Sequence, residues 1–220
     1  MEKEKCSSFG AFDDLVVDRL GNSYYVLRHG ESQANVEHLI VSDPDHGKLA
    51  KYGLTDKGRQ QARAAAIQLE ELWKAKNICP TTTTILTSCF SRARETAEII
   101  AHRLNVPVLV EPLLRERYFG DFNLTCDDNY AIVWNADKND ASMLTRHHVE
   151  SAQDTLKRAL QVIHQREQTT KGHTYILVSH GDVLQILRAF FAQVAIENHR
   201  SLPYLENAQF ACLYQVASQR

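Results

Sequence analysis

Apolar residues along this chain follow two patterns: short continuous runs, and stripes recurring every three or four positions. Tyr24-Tyr25-Val26-Leu27 and Tyr175-Ile176-Leu177-Val178 are aromatic and β-branched runs that read as buried strands. The first ends in Arg28-His29-Gly30 and the second in Ser179-His180-Gly181. Thr83 to Thr87 is strand-like, and Val106 to Val110, interrupted by Pro107, reads as an edge strand. Phe210 to Val216 is the last strand candidate. Between these runs the period changes to that of a helix. Ala62, Ala65, Ala66, Leu69 and Trp73 form one stripe, with Thr55 as its N-cap and an expected length of about 15 to 18 residues. Ala93, Ala97, Ile100 and Leu104 form a second, capped by Ser91. Ala152, Leu156, Ala159, Leu160 and Ile163 form a third, and Asp182 is expected to cap a fourth helix over Val183 to Phe191. Residues 1–22 read as an N-terminal tail, and residues 121 to 149 lack clear periodicity, as expected of an insertion that covers a site.

Strands alternating with helices predict a layered α/β fold with a mostly parallel sheet, in one domain spanning residues 1–220. In such folds ligands sit beyond the carboxyl ends of the strands. That rule singles out Arg28-His29, Thr87 to Arg92, and Ser179-His180, each of which carries a histidine or an arginine.

Composition narrows the function classes. With 44% hydrophobic and 24% charged residues the chain can bury a sizeable core. Lys and Arg number 25 against 27 acidic residues, for a net charge of -2, so no basic field is available for nucleic acid or anionic lipid. An anion must therefore be bound by a local cluster. The amino terminus lacks a signal-peptide pattern and no apolar stretch is long enough to span a bilayer. Five scattered cysteines, without a Cys-x-x-Cys pair, argue against a disulfide framework or a zinc site and for a reducing compartment, the cytoplasm.

A lone histidine at a strand end is ordinarily structural, and Arg92 taken alone reads as a solvated charge. A cation in the first turn of a helix is nevertheless unfavourable unless an anion lies nearby. Free backbone N–H groups at helix starts already favour phosphate, and Arg28, Arg92 and a histidine added to them would cradle three phosphoryl oxygens.

The string Leu27-Arg28-His29-Gly30-Glu31-Ser32 with Asn35 resembles the signature of the histidine phosphatase superfamily, in the phosphoglycerate mutase-like branch 1. Further matches in order and spacing are Leu54-Thr55 with Gly58, Gln61 and Ala62; Thr87-Ser88 with Ser91-Arg92-Ala93 and Thr96-Ala97; Leu114-Arg115-Glu116 with Phe119-Gly120; Glu150-Ser151; and Val178-Ser179-His180-Gly181. The resemblance spans about residues 23 to 216. It implies a three-layer α/β/α sandwich with one antiparallel edge strand, and catalysis through a phosphohistidine on His29. Arg28, Arg92 and His180 would hold the phosphoryl group, Ser32, Asn35 and the amide of Gly181 would add contacts, and Glu116 would be the proton donor. Such chemistry asks His29 to be neutral, its second ring nitrogen donating to an acceptor such as the Gly30 carbonyl. No metal or other cofactor is expected, because arginines neutralise the phosphate and no Gly-x-x-x-x-Gly-Lys loop or Asp-x-Asp pattern occurs.

The chain departs from its relatives at Asp121-Phe122-Asn123 and at His148-Val149, both in the segment expected to shape the pocket. Substrate identity therefore does not transfer, beyond a small phosphorylated molecule. Oligomeric state is not legible. Arg115, Arg117, Arg146 and His147 are candidates for a second anion, with solvated charge the commoner reading. Only 33 residues separate Glu116 from Glu150, a short cover that favours hydrolysis over a mutase-type transfer. The remaining alternatives are a phosphate-binding scaffold without activity and a nucleic-acid binder. The full set of expected catalytic residues argues against the first, and charge against the second.

Overall fold

The structure, a computed structural model, describes residues 20–216. Five strands form one sheet in the order β3-β2-β4-β1-β5: β1 (Ser23–Arg28), β2 (Thr83–Thr87), β3 (Val108–Val110), β4 (Thr174–Ser179) and β5 (Phe210–Tyr214). β1, β2, β3 and β4 are parallel, and β5 pairs antiparallel with β1 at one edge. The short helices α1 (Gln33–Val36) and α2 (Pro44–Gly47) follow β1. The long ones are α3 (Asp56–Lys76), α4 (Ser91–Leu104), α7 (Ala152–Thr169) and α8 (Gly181–Phe191), with α5 (Tyr130–Asn139) and α6 (Ala141–Arg146) between α4 and α7.

The pleat explains why the strand runs are continuously apolar. Successive side chains point to opposite faces. Tyr24, Val26, Leu86, Tyr175 and Leu177 pack with Leu156, Leu160, Ile163, Val183 and Leu187 of α7 and α8. Tyr25, Leu27, Ile85, Ile176 and Val178 pack with Ala66, Leu69, Ala97 and Ile100 of α3 and α4. A sheet covered on both sides has no solvent face on which to alternate polar residues. The layered α/β expectation and its antiparallel edge strand are thus met.

Several boundaries differ from the sequence reading. α3 has 21 residues rather than the expected 15 to 18, because Trp73 remains buried and the helix runs on through Lys74 and Lys76 to Asn77, whose φ of 55° ends it in the left-handed conformation. α4 is capped by Phe90, not Ser91, whose hydroxyl instead donates to the carbonyls of Gly47 and Leu49. α8 starts at Gly181 behind His180, so Asp182 is inside the first turn rather than at the cap. The expected tail falls mostly outside the described residues. Its last part, Leu20 to Asn22, belongs to the fold: Leu20 joins the core, and the buried Asn22 donates to Glu167 and Thr170. The unpatterned segment 121–149 holds α5, α6 and short 3-10 turns, and its Val133, Ala136, Leu144 and Val149 form a small core against Ile40 and Phe119. Helices this short bury too few positions to establish a period.

Gly30 and Gly58 fix how the first loop meets α3. A Cβ on Gly30 would press on the backbone of Gly58, and one on Gly58 would collide with the backbone of Glu31. Thr55 locks the contact: its amide donates to the Glu31 carbonyl at 3.0 Å, and its hydroxyl accepts from Gly58 N at 3.0 Å. Gly58→Ala is therefore expected to destabilise the protein by about 1 to 3 kcal/mol, read as a lower denaturant midpoint, with reduced activity because the loop carrying His29 must shift. An unchanged midpoint would show that this approach is looser than described.

Candidate active site

Adjacency in the sheet assembles the site. β2, β4 and β1 are neighbours, and their registers align Arg28 with Ser179 and Thr87 with Val178. The residues that follow, Ser88, His180 and His29, therefore leave the sheet side by side. His29 N donates to Ser179 O at 3.0 Å and Ser88 N to Val178 O at 2.9 Å, which carries the parallel pairing one residue beyond the strands.

His29 is 3% exposed. Its Nδ1 lies 2.7 Å from the Gly30 carbonyl, which fixes the proton on Nδ1 and leaves the lone pair on Nε2. Burial, and then the charges of Arg92 and Arg28, hold its pKa well below the usual range, so the ring is neutral. The first turn of α4 brings in Arg92, whose Nε donates to His29 Nε2 at 3.1 Å and whose Nη2 donates to the Val41 carbonyl at 3.0 Å. Its Nη1 is buried without a partner.

His180 is fully buried, edge-on to both His29 and Phe90. Ser88 Oγ lies 2.8 Å from its Nε2 and also accepts from Phe90 N at 3.2 Å. The other ring nitrogen of His180, Nδ1, has no hydrogen-bond partner and lies 3.7 Å from Glu116 Oε2. Burial, then Arg92 and His29, keep this ring neutral too. Arg28 donates from Nη1 to the Leu205 carbonyl at 3.0 Å and stacks on Tyr204, its buried Nε unpaired.

Glu116 follows the turn Pro112–Leu114 after β3. It is 5% exposed, with Oε1 accepting from Arg117 N at 2.9 Å and Oε2 4.0 Å from Arg92 Nη2. Burial, with Asp182 adding to it and Arg92 opposing, pushes its pKa up to about 7. Its backbone carbonyl is clamped by Arg115 and Arg158, which both hold Glu150. Burial would raise the Glu150 carboxyl, but Arg158 and Arg115 bring it down to about 2. Ser32 and Asn35 hold each other through the capping box of α1, and Asn207 ties Asn35 to the His29 carbonyl.

Of the eight residues singled out in the sequence, Arg28, His29, Ser32, Asn35, Arg92, Glu116 and Gly181 line one pocket of about 60 Å³, and His180 lies beneath it. That volume suits a group no larger than a phosphoryl, with the rest of a ligand in the mouth. A larger groove of about 740 Å³ between α3 and α4 shares none of these residues. The mouth is walled by Tyr130, Trp134 and Tyr204, which sequence reasoning did not find: the first two lie in the unpatterned segment and Tyr204 in the connection before β5, where aromatic residues carry no motif.

A family profile described as the histidine phosphatase superfamily, branch 1, matches residues 24–218. The chain belongs to this superfamily. A glucosyl-3-phosphoglycerate phosphatase of Mycolicibacterium vanbaalenii is 29% identical over 202 residues, 86% of this chain and 82% of that protein. A shorter stretch of 96 residues is 38% identical to a probable phosphoglycerate mutase of Escherichia fergusonii and covers 44% of this chain; the chain spans 38% of that protein. Among solved structures, Bacillus stearothermophilus YhfR superposes with a TM-score of 0.70 at 27% identity, over 86% of this chain and 89% of that one.

The other candidate anion ligands in this histidine phosphatase are already committed. Arg115 pairs with Glu150 at 3.0 Å, and exposed Arg146 pairs with Asp140 at 3.3 Å. His147 lies 3.3 Å from Asp121. Arg117 is no solvated charge: it is completely buried between Asp137 at 2.6 Å and Asp182 at 3.0 Å. None of the four lines the pocket. Burial alone would raise Asp182, yet His199 and Arg117 hold it below the usual carboxylate range, and its Oδ1 accepts from Trp134 Nε1 at 2.8 Å. The aromatic wall is thus anchored to the first turn of α8. No helix among the described residues is long and apolar enough to cross a membrane.

Proposed function

We propose that the protein is a phosphatase that hydrolyses a small phosphate monoester through a phosphohistidine on His29, without a metal ion. The observation that carries this reading is the set of buried, unpaired polar nitrogens grouped around one small pocket: the donors Arg92 Nη1 and Arg28 Nε, with the ring nitrogen Nδ1 of His180 beside them. An unsatisfied buried donor costs about 1 to 3 kcal/mol, and a phosphoryl group offers three oxygens to satisfy them. The carboxylates facing the pocket are Glu116 and Asp182, and Asp182 is committed to Arg117. The site therefore presents cationic donors rather than the oxygen ligands a divalent ion takes.

In the first step an incoming phosphoryl oxygen takes over the Arg92 N–H now directed at His29, freeing the Nε2 lone pair to attack phosphorus. The bond to the ester oxygen breaks, and the proton of Glu116 passes to that leaving oxygen. Arg28 and Arg92 neutralise the phosphoryl oxygens and, with the neutral His180 ring, hold them, with Ser32, Asn35 and the Gly181 amide at the edge. In the second step water attacks the phosphohistidine, its proton goes to Glu116, and the P–N bond breaks to release inorganic phosphate. Hydrolysis is favoured over transfer to a second hydroxyl by the short cover between Glu116 and Glu150.

Phosphate release from a panel of small phosphate esters, with a metal chelator present, tests the reading. Release at an undiminished rate is expected. Release that vanishes with chelator would overturn metal independence. No release, together with isomerisation of 3-phosphoglycerate primed by bisphosphoglycerate, would make the protein a mutase.

A further inference from the structure

Beside the aromatic wall of the pocket, Arg200 forms no ion pair with any carboxylate among the described residues. Arg200 lies in the 3-10 segment Ile196–Ser201, which α8 holds through Gln185 Nε2, donating to the carbonyls of His199 at 3.1 Å and Leu202 at 2.6 Å. The Arg200 guanidinium sits 3.7 Å from the centre of the Trp134 ring and 4.9 Å from that of Tyr204. Both rings line the pocket, and Tyr204 is also the ring on which Arg28 stacks at 4.7 Å. Arg200 Nη1 is buried and has no hydrogen-bond partner. The buried carboxylates of this end, Asp137 and Asp182, are both engaged by Arg117.

Packing alone does not explain such a residue. A methionine or leucine would fill the space between two aromatic rings without bringing in a desolvated N–H. A guanidinium packed against two aromatic rings is instead pre-positioned and can present its fork to a carboxylate or phosphate at little further entropic cost. It does not line the phosphoryl pocket itself but packs on Trp134 and Tyr204, which do, and it shares the Tyr204 ring with Arg28. We infer that Arg200 recognises a second anionic group, a carboxylate or a phosphate, on the leaving portion of the substrate. This rests on the pocket being a phosphate site.

The experiment is titration calorimetry with pairs of ligands that differ in the second anion alone. These are 3-phosphoglycerate against glycerol 3-phosphate, and glucose 1,6-bisphosphate against glucose 6-phosphate. A His29→Ala background prevents turnover, and Arg200, Arg200→Met and Arg200→Lys are compared within it. With Arg200 present, the doubly anionic member of at least one pair binds about tenfold more tightly; in Arg200→Met its two members bind alike. Arg200→Lys keeps the charge without the fork and retains part of the preference, which separates recognition from a packing defect. The pair that discriminates identifies the anion as carboxylate or phosphate. Equal weakening of both members by Arg200→Met would reduce Arg200 to a wall residue and overturn the inference, as would no discrimination, or no binding, in the Arg200 protein. Binding of all four ligands without phosphatase activity in the wild-type protein would defeat the hydrolytic reading while leaving Arg200 testable.

Discussion

His29→Ala is expected to lower kcat by about 10⁴-fold or more and to abolish the acid-labile phosphoprotein expected in stopped reactions of the wild-type protein. The size of the effect follows from the lack of a substitute. His29 combines a fixed tautomer, a free Nε2 and a neutral ring, the first set by the Gly30 carbonyl at 2.7 Å and the last by burial and two arginines. The nearby His180 has its Nε2 committed to Ser88 and does not line the pocket. Water in place of the imidazole would lack both the nucleophilicity and the positioning. Phosphate affinity should survive the change, since Arg28 and Arg92 remain, and retained binding with lost turnover is what separates loss of the nucleophile from misfolding. Because the His29 pKa is depressed, the acid limb of kcat/KM in the wild-type protein is expected well below pH 6.5. Activity within a hundredfold of wild type in His29→Ala would remove the phosphohistidine from the mechanism.

Much of this site was legible because its residues come from chain segments with strong local patterns. The runs Tyr24 to Leu27 and Tyr175 to Val178 mark strands buried on both faces, and in a parallel sheet the next residues, Arg28-His29 and Ser179-His180, necessarily emerge at one edge. Glu116 follows no periodic element, and its role was expected from family resemblance alone. What stayed illegible depends on distant pairings. Nothing local distinguishes Arg117, which is sealed between Asp137 and Asp182, from Arg146, which is exposed, because burial of a charge is decided by partners 20 and 65 positions away. The aromatic mouth was hidden for the same reason: Trp134 depends on Asp182, and Tyr204 packs over Gly181, where a side chain would strike its hydroxyl. Asp182 shows how a correct residue acquires a wrong role. A helix-start aspartate is ordinarily a cap, but the buried Arg117 draws its carboxylate inward.

Glu116→Gln separates the two half-reactions and tests the carboxyl directly. Glutamine cannot donate a proton to the leaving oxygen, so esters of poor leaving groups such as glycerol phosphate should slow by about 10² to 10⁴-fold. p-Nitrophenyl phosphate needs little protonation and should still phosphorylate His29, giving a burst of p-nitrophenol equal to the enzyme present and then slow turnover, because nothing activates the water that attacks the phosphohistidine. The same carboxyl sets a pH dependence. Wild-type kcat/KM should fall above about pH 7 as Glu116 loses its proton. It should also leave a mark on stability. The pKa is about 7 in the fold against an ordinary value of 4.5, so between those values the folded protein holds a proton that the unfolded chain has released. Stability from this group is therefore full below about pH 4.5 and declines as pH rises toward 7, by about 3 kcal/mol in all. Glutamine keeps the shape and never ionises. Glu116→Gln should match wild type in unfolding free energy near pH 4.5 and exceed it at pH 8, gaining stability where it loses activity. Parallel stability profiles across that range would show that Glu116 is ionised in the free protein, and that the proton for the leaving group must arrive with the substrate.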